Sequence, residues 1–317
     1  MDFGLTAAGV ADAEVFGQYV SASDMGVGSL DIKSGALSKL SPLDPSSGGL
    51  AWIEVELPWI VWDQYVSNTQ PGWTVVALNA STHERIVLAS DDPGSPNAVP
   101  AGQAPYPVIR KGVVAWAEPS SPDSDGKPRG RVVTFNLATR SSQAVAAGVV
   151  SSPVYAGDYL VWAEQAPDGS FAFEAVNADT LMPADVTDQL PSLTSVLYLA
   201  GSADYLAWTS QDLNQLSVVT LRSGAVSVFT AKPDFLHRIQ FPALVGDYVA
   251  WYTGDRFSVM DLTTGGAFDV MGSAAAGNGT IALAQPNGPV PKGQLSRSRV
   301  SSLAISQVPH LAATGCA

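Results

Sequence analysis

Short runs dominated by Val, Leu, Ile, Ala, Phe and Trp recur along the chain, as in TVVALNA, RVVTFNL and LSVVTLR, and Gly, Pro, Asp, Asn and Ser bound them. That punctuation and that residue choice are the chemistry of strands and tight turns. Long stretches with helical periodicity are missing. One phrase returns inside the pattern: GDYLVWAE at 157–164, ADYLAWTS at 203–210 and GDYVAWYT at 246–253. With WIVWDQ and VVAWAE it defines a series of anchors, Trp62, Trp116, Trp162, Trp208 and Trp251, spaced by 54, 46, 46 and 43 residues.

A second phrase follows each anchor, beginning at Asn79, Asn136, Asn177, Thr220 and Asp261, and an earlier copy begins at Asp31. An Asn or Asp followed closely by Ser, Thr or Gly suits a tight hairpin, because the short side chain bonds its own backbone and Gly tolerates positive φ. Each unit therefore reads as four antiparallel strands, and repetition at 40 to 50 residues describes the blade of a β-propeller. The prediction is an all-β chain, residues 1–317 as a single propeller domain, with seven blades centred near residues 20, 62, 116, 162, 208, 251 and 283. The count is six if one degenerate end is not a full blade. Ring closure is expected from the terminal strands, with FGLTAAG pairing beside VSSLAISQ. The recurring Trp is expected to fill the space between adjacent blades, where an aromatic side chain buries ~150–250 Å².

The two phrases, [GA]-D-Y-[VL]-[VA]-W and [DN]-L-x-T-G, resemble the blades of the TolB-like group of β-propellers, related to WD40-like bacterial repeats, over about Ala13 to Gln307. The resemblance implies the architecture. It covers periplasmic interaction proteins and propellers attached to peptidases alike, so it implies no single activity.

Composition narrows the partners. Apolar residues are 46% of the chain and charged residues 14%, which supports a large core and excludes the disordered class. Net charge is −13, which repels phosphate backbones and acidic membrane surfaces, so nucleic acid is not an expected partner, whereas proteins and glycans are. No apolar run approaches the ~20 residues that span a bilayer, and the chain begins without a signal-peptide pattern. The expected location is extracytoplasmic, with the leader absent from this chain, and a cytoplasmic location stays open. A monomer is expected. The single cysteine, Cys316, forms no internal disulfide and no thiolate cluster.

On repeat scaffolds the irregular positions usually carry binding. The second blade, GLAWIEVELPWIVWDQYVSNTQPGWTVV, adds Trp52, Trp59 and Trp73 to its anchor, and strand alternation puts Trp52, Glu54 and Glu56 on one face. If that strand is innermost, two carboxylates face the central tunnel. Carboxylates accept hydroxyl hydrogen bonds or hold a cation, and a Trp ring stacks on a sugar. A solvated edge with locally packed tryptophans explains the same residues. The candidate binding set is Trp52, Glu54, Glu56, Trp59, Asp63, Trp73, Glu118 and Glu164. Paired carboxylates in this set define a second reading, a glycoside hydrolase or lyase.

Other chemistry is sparse. His83, His237 and His310 share no metal-ligand spacing, and no HExxH or GxSxG occurs. Asp123, Asp125 and Gly126, inside the insertion from Glu118 to Arg131, lack the later ligands of a calcium loop. The Pro/Gly connection from Asp91 to Pro105 is expected to overhang the tunnel mouth. No cofactor, metal or catalytic residue is expected. The leading expectation is a non-catalytic propeller that presents loops and a tunnel mouth to a protein or glycan.

Overall fold

The computed structural model of the chain describes residues 2–20, 24–44, 48–65, 72–100, 102, 105–120, 129–186, 190–231, 238–253, 256–271, 273–277, 280–286 and 298–304. The expectations placed on Asp123, Asp125, Gly126, His237, His310 and Cys316 fall outside these residues. Every named element is a strand, and among the described residues no helix is long and apolar enough to cross a membrane.

The chain divides into two compact units. One comprises residues 46–229. Its strands are β5 (Gly49–Glu56), β6 (Trp59–Tyr65), β7 (Trp73–Asn79) and β8 (Arg85–Ser90), then β9 (Val108–Arg110), β10 (Val113–Ser120), β11 (Arg129–Asn136) and β12 (Ser141–Val150). After them come β13 (Val154–Ala156), β14 (Tyr159–Gln165), β15 (Phe171–Asn177) and β16 (Pro183–Ala184), then β17 (Leu199–Gly201), β18 (Tyr205–Thr209), β19 (Gln215–Thr220) and β20 (Ala225–Thr230). Each group of four is an antiparallel meander, and the first strands β5, β9, β13 and β17 lie side by side in that series.

The other unit comprises residues 1–45 and 230–317. It holds β1 (Asp2–Ala11), β2 (Glu14–Val20), β3 (Met25–Asp31) and β4 (Leu37–Pro42), with β21 (Gln240–Val245), β22 (Tyr248–Tyr252), β23 (Arg256–Asp261) and β24 (Ala267–Met271). A sheet of three strands, β25 (Ser273–Gly277), β26 (Thr280–Pro286) and β27 (Ser298–Ala304), completes it.

Two expectations are corrected here. The sheets are not seven or six separate four-stranded blades: four are, β9 to β16 form one eight-stranded sheet, and the last has three strands. Nothing in SSQAVAAGVV stops β12 before Ser151, so Val149 and Val150 run on to pair with Gln165 and Glu164 of β14. The N-terminal segment FGLTAAG, in turn, pairs with β2, its neighbour in sequence, while β27 pairs with β26. A sequential hairpin closes a shorter loop than joining the chain ends would.

The second sequence phrase builds the turn from the third to the fourth strand. The side-chain oxygen of Asn136 accepts from the backbone N–H of Ala138 and Thr139 at 2.9 and 3.0 Å, and Asn79, Asn177 and Asp261 do the same in their sheets. The residue four positions on closes the turn by donating to the backbone oxygen of the first, as Gly35, His83, Arg140, Leu181, Gly224 and Gly265 all show, each with φ between 56° and 71°. Here Gly is favoured because a Cβ resists left-handed backbone. His83 is thus a turn residue.

The anchors pack between successive sheets. Trp116 shares a core cluster with Val61, Val75 and Ala77 of the preceding sheet, Trp162 with Ala115 and Val132 of the preceding repeat, and Trp208 with Val161, Ala163 and Phe173. The Phe173 and Trp208 rings stand edge to face with centroids 5.2 Å apart, a favourable aromatic geometry. Trp62 is also fully buried, whereas Trp251 is only partly so.

Candidate functional site

Antiparallel pairing places Trp52 opposite Asp63, Glu54 opposite Val61 and Glu56 opposite Trp59, so these side chains share one face of the β5–β6 hairpin. That face turns to the neighbouring sheet and not to a tunnel. Glu56 shows this directly, because its two carboxylate oxygens accept from the backbone N–H of Lys111 and Gly112 at 2.6 and 2.9 Å in the β9–β10 turn. The cause is general: an edge strand still projects its side chains perpendicular to its sheet.

Other candidates are likewise committed to structure. Glu118 is buried, accepts from the Trp116 indole N–H at 2.7 Å and from Arg131 Nε at 2.6 Å, and so completes an anchor. Trp62 makes the equivalent bond to Gln64 two positions on, at 2.9 Å. Glu164 stands two positions after Trp162 in the ladder that joins β12 to β14. Burial raises its carboxyl above the ordinary range and Glu174 adds to the effect, while the Trp162 indole and Arg129 oppose it. Trp73 is buried and holds the 91–105 connection, its backbone N–H donating to Asp91 at 2.6 Å and its indole to the Gly102 oxygen at 3.2 Å. Trp59 lies beneath Arg140, 5.5 Å from the ring centre, and Arg140 also pairs with Glu84 at 2.7 Å.

Glu56→Ala is expected to lower stability by about 1–2 kcal/mol, because two backbone donors lose a charged acceptor. Urea denaturation measures it, and an unchanged midpoint would show that water replaces the carboxylate without cost.

Trp52, Glu54 and Asp63 remain, and the structure joins new partners to them. The Trp52 ring meets Tyr106 edge to face at 5.6 Å between centroids, and Tyr106 meets Tyr198 at 6.2 Å. Tyr65 lies two residues beyond Asp63 on the same face, is 42% exposed, and acts with burial to raise the Tyr198 hydroxyl above its ordinary value. Asp63 has no exposed surface, and among the described residues neither its carboxyl oxygens nor the Trp52 indole N–H has a partner in good hydrogen-bond geometry, so the donors near them act only as poorly aligned ones. Burial pushes the Asp63 carboxyl well up, against the backbone N–H groups of Asp63 and Trp52. Burial also raises Glu54 to about 7, with the Trp52 indole acting the other way.

Sequence reasoning missed Tyr65, Tyr106 and Tyr198. The usable signal was position, since Tyr106 and Tyr198 stand just before the inner strands β9 and β17. A separate groove of ≈ 570 Å³ lies between residues 191–195 and β18 to β20, with Trp208, Gln211, Gln215 and Val228 among its lining residues and Asp212 as its acid. No group of three or more His, Cys, Asp or Glu side chains fit to hold a metal occurs among the described residues.

The fold defines a class, the β-propeller. Over 98% of its length the chain matches a chain from a study of two prolyl endopeptidases, with TM-score 0.59 and 14% identity, and spans 48% of that chain. A chain of a nidogen/laminin complex is similar over 93% of this chain and 99% of its own, with TM-score 0.52 and 11% identity. An oligogalacturonate lyase in complex with manganese matches with TM-score 0.53 and 10% identity, over 86% of this chain and 82% of its own. No protein-family model and no curated protein matches the chain. The similarity therefore establishes the propeller, and the TolB-like resemblance goes no further than that fold.

Proposed function

We propose that the chain is a non-catalytic propeller that binds a protein or glycan at the aromatic and acidic face formed by Trp52, Glu54, Asp63, Tyr65, Tyr106 and Tyr198. One observation carries this reading: Glu56 and Glu118 are bonded into the scaffold, whereas Asp63 is buried without a well-formed hydrogen bond and Trp52, directly opposite it, meets Tyr106 edge to face. The groove beside Trp208, with its amides and hydroxyls, supplies a further surface of the kind that contacts glycans and proteins. The periplasmic interaction proteins whose blade phrases this chain resembles support an extracytoplasmic location.

Glu54 favours a second reading. A carboxyl near 7 is suited to proton transfer at neutral pH, which a carbohydrate-active enzyme with paired carboxylates requires. The neighbours are compatible with either, since a lyase and a peptidase stand among them beside a nidogen/laminin complex.

A thermal-shift screen of oligosaccharides and peptides tests the binding role, because a ligand that binds only the native state raises the melting temperature. The expected result is a shift that Trp52→Ala abolishes. Product formation from a shifting oligosaccharide, lost in Glu54→Gln, would replace the binding role with the enzymatic one.

A further inference from the structure

We propose that Trp52, Tyr65, Tyr106 and Tyr198 form an aromatic enclosure, with the Asp63 carboxyl at its base, for an alkylammonium group of the kind a lysine side chain carries. The proposal rests on the binding role above and names the chemical group that the site takes.

The repeat makes Asp63 conspicuous. The residue after the anchor tryptophan is Ala117, Ala163 or Thr209 in the next three repeats and Tyr252 in the one after, so none of the other anchors is followed by an acid. Ala163 and Thr209 are fully buried there, and Thr209 has its hydroxyl bonded to the Tyr198 backbone N–H at 3.2 Å. Asp63 is equally buried, and its two oxygens meet the backbone N–H groups of Asp63 and Trp52 outside good hydrogen-bond geometry. A buried carboxyl is unfavourable unless it is paired, and among the described residues no Lys, Arg or His acts on either Asp63 or Glu54. A ligand that brings its own positive charge supplies what the fold omits.

The rings specify what kind of cation. Tyr65 and Asp63 lie on one strand face, Trp52 stands directly across from Asp63, and Tyr106 and Tyr198 continue the row of rings. Aromatic faces attract ammonium groups and also cover the methylenes that follow them, which a small hydrated metal ion does not offer. The net charge of −13 favours approach of such a cation.

Calorimetric titration of the full chain with n-butylammonium chloride, against potassium chloride as control, tests this. Saturable heat with the ammonium alone is expected, and Asp63→Asn and Tyr65→Ala should each weaken it about tenfold. Tyr65 is exposed, so its truncation tests the enclosure without opening the core. Equal affinity in both variants would place the cation elsewhere and overturn the proposal. If oligosaccharides or uncharged peptides bind and n-butylammonium does not, the ammonium assignment falls while the binding role stands. If nothing binds, both fall.

Discussion

Trp116→Ala is expected to destabilise the chain by about 3–5 kcal/mol, a large part of the ~5–15 kcal/mol that typically separates folded from unfolded. The indole is buried among residues of two sheets, so its removal leaves a void where neither sheet can close in without breaking its own ladder. The loss extends to Glu118, which keeps Arg131 but loses the indole N–H at 2.7 Å. Chemical denaturation gives the number. Trp251→Ala provides the comparison, since that anchor is only partly buried and its truncation should cost less. A Trp116→Ala effect below about 1 kcal/mol would mean that the anchors do not hold the sheets together.

The second large effect is the pH dependence of Asp63→Asn. In the folded chain burial raises Asp63 well above its ordinary 3.8, so unfolding at intermediate pH releases a proton. The stabilisation is complete below that ordinary value and is lost as pH rises through the folded one. Glu54 acts with the same sign between 4.5 and about 7 in both proteins. The amide carries no such proton, so the variant should match the parent near pH ~4 and gain on it at up to ~1.4 kcal/mol per pH unit above that. Urea denaturation at several pH values measures the difference. A difference that stays constant from acid to neutral pH would show that Asp63 is solvated or paired in solution.

What the sequence revealed depended on how local the cause was. The turn after each third strand was legible because Asn136 or Asp261 closes it with bonds to residues two and three positions away. The anchors were legible because only a repeated large side chain explains Trp62, Trp116, Trp162 and Trp208. The site was only half legible. Strand alternation grouped Trp52, Glu54 and Glu56 on one face, but the destinations of Glu56 and Glu118 depend on Lys111 and Arg131, which sequence spacing does not choose. Tyr106 and Tyr198 are 92 positions apart and meet only because their sheets are stacked, so no local pattern announces them. The continuation of β12 was equally hidden, since a missing stop signal leaves no mark in composition.

That continuation changes how this repeat array could have grown. At the joint where Trp208 packs with Val161 and Phe173, the backbone link between the sheets among the described residues is the Gly157 N–H donating to the Ser202 oxygen at 2.8 Å, so a unit can be gained or lost if its neighbours repack. Between the third and fourth units the backbone itself is shared, with Val149 and Val150 paired to Gln165 and Glu164. Duplication or deletion there would expose unpaired amides and carbonyls. Gain or loss of a repeat is therefore costlier at that joint than at joints that share less backbone pairing.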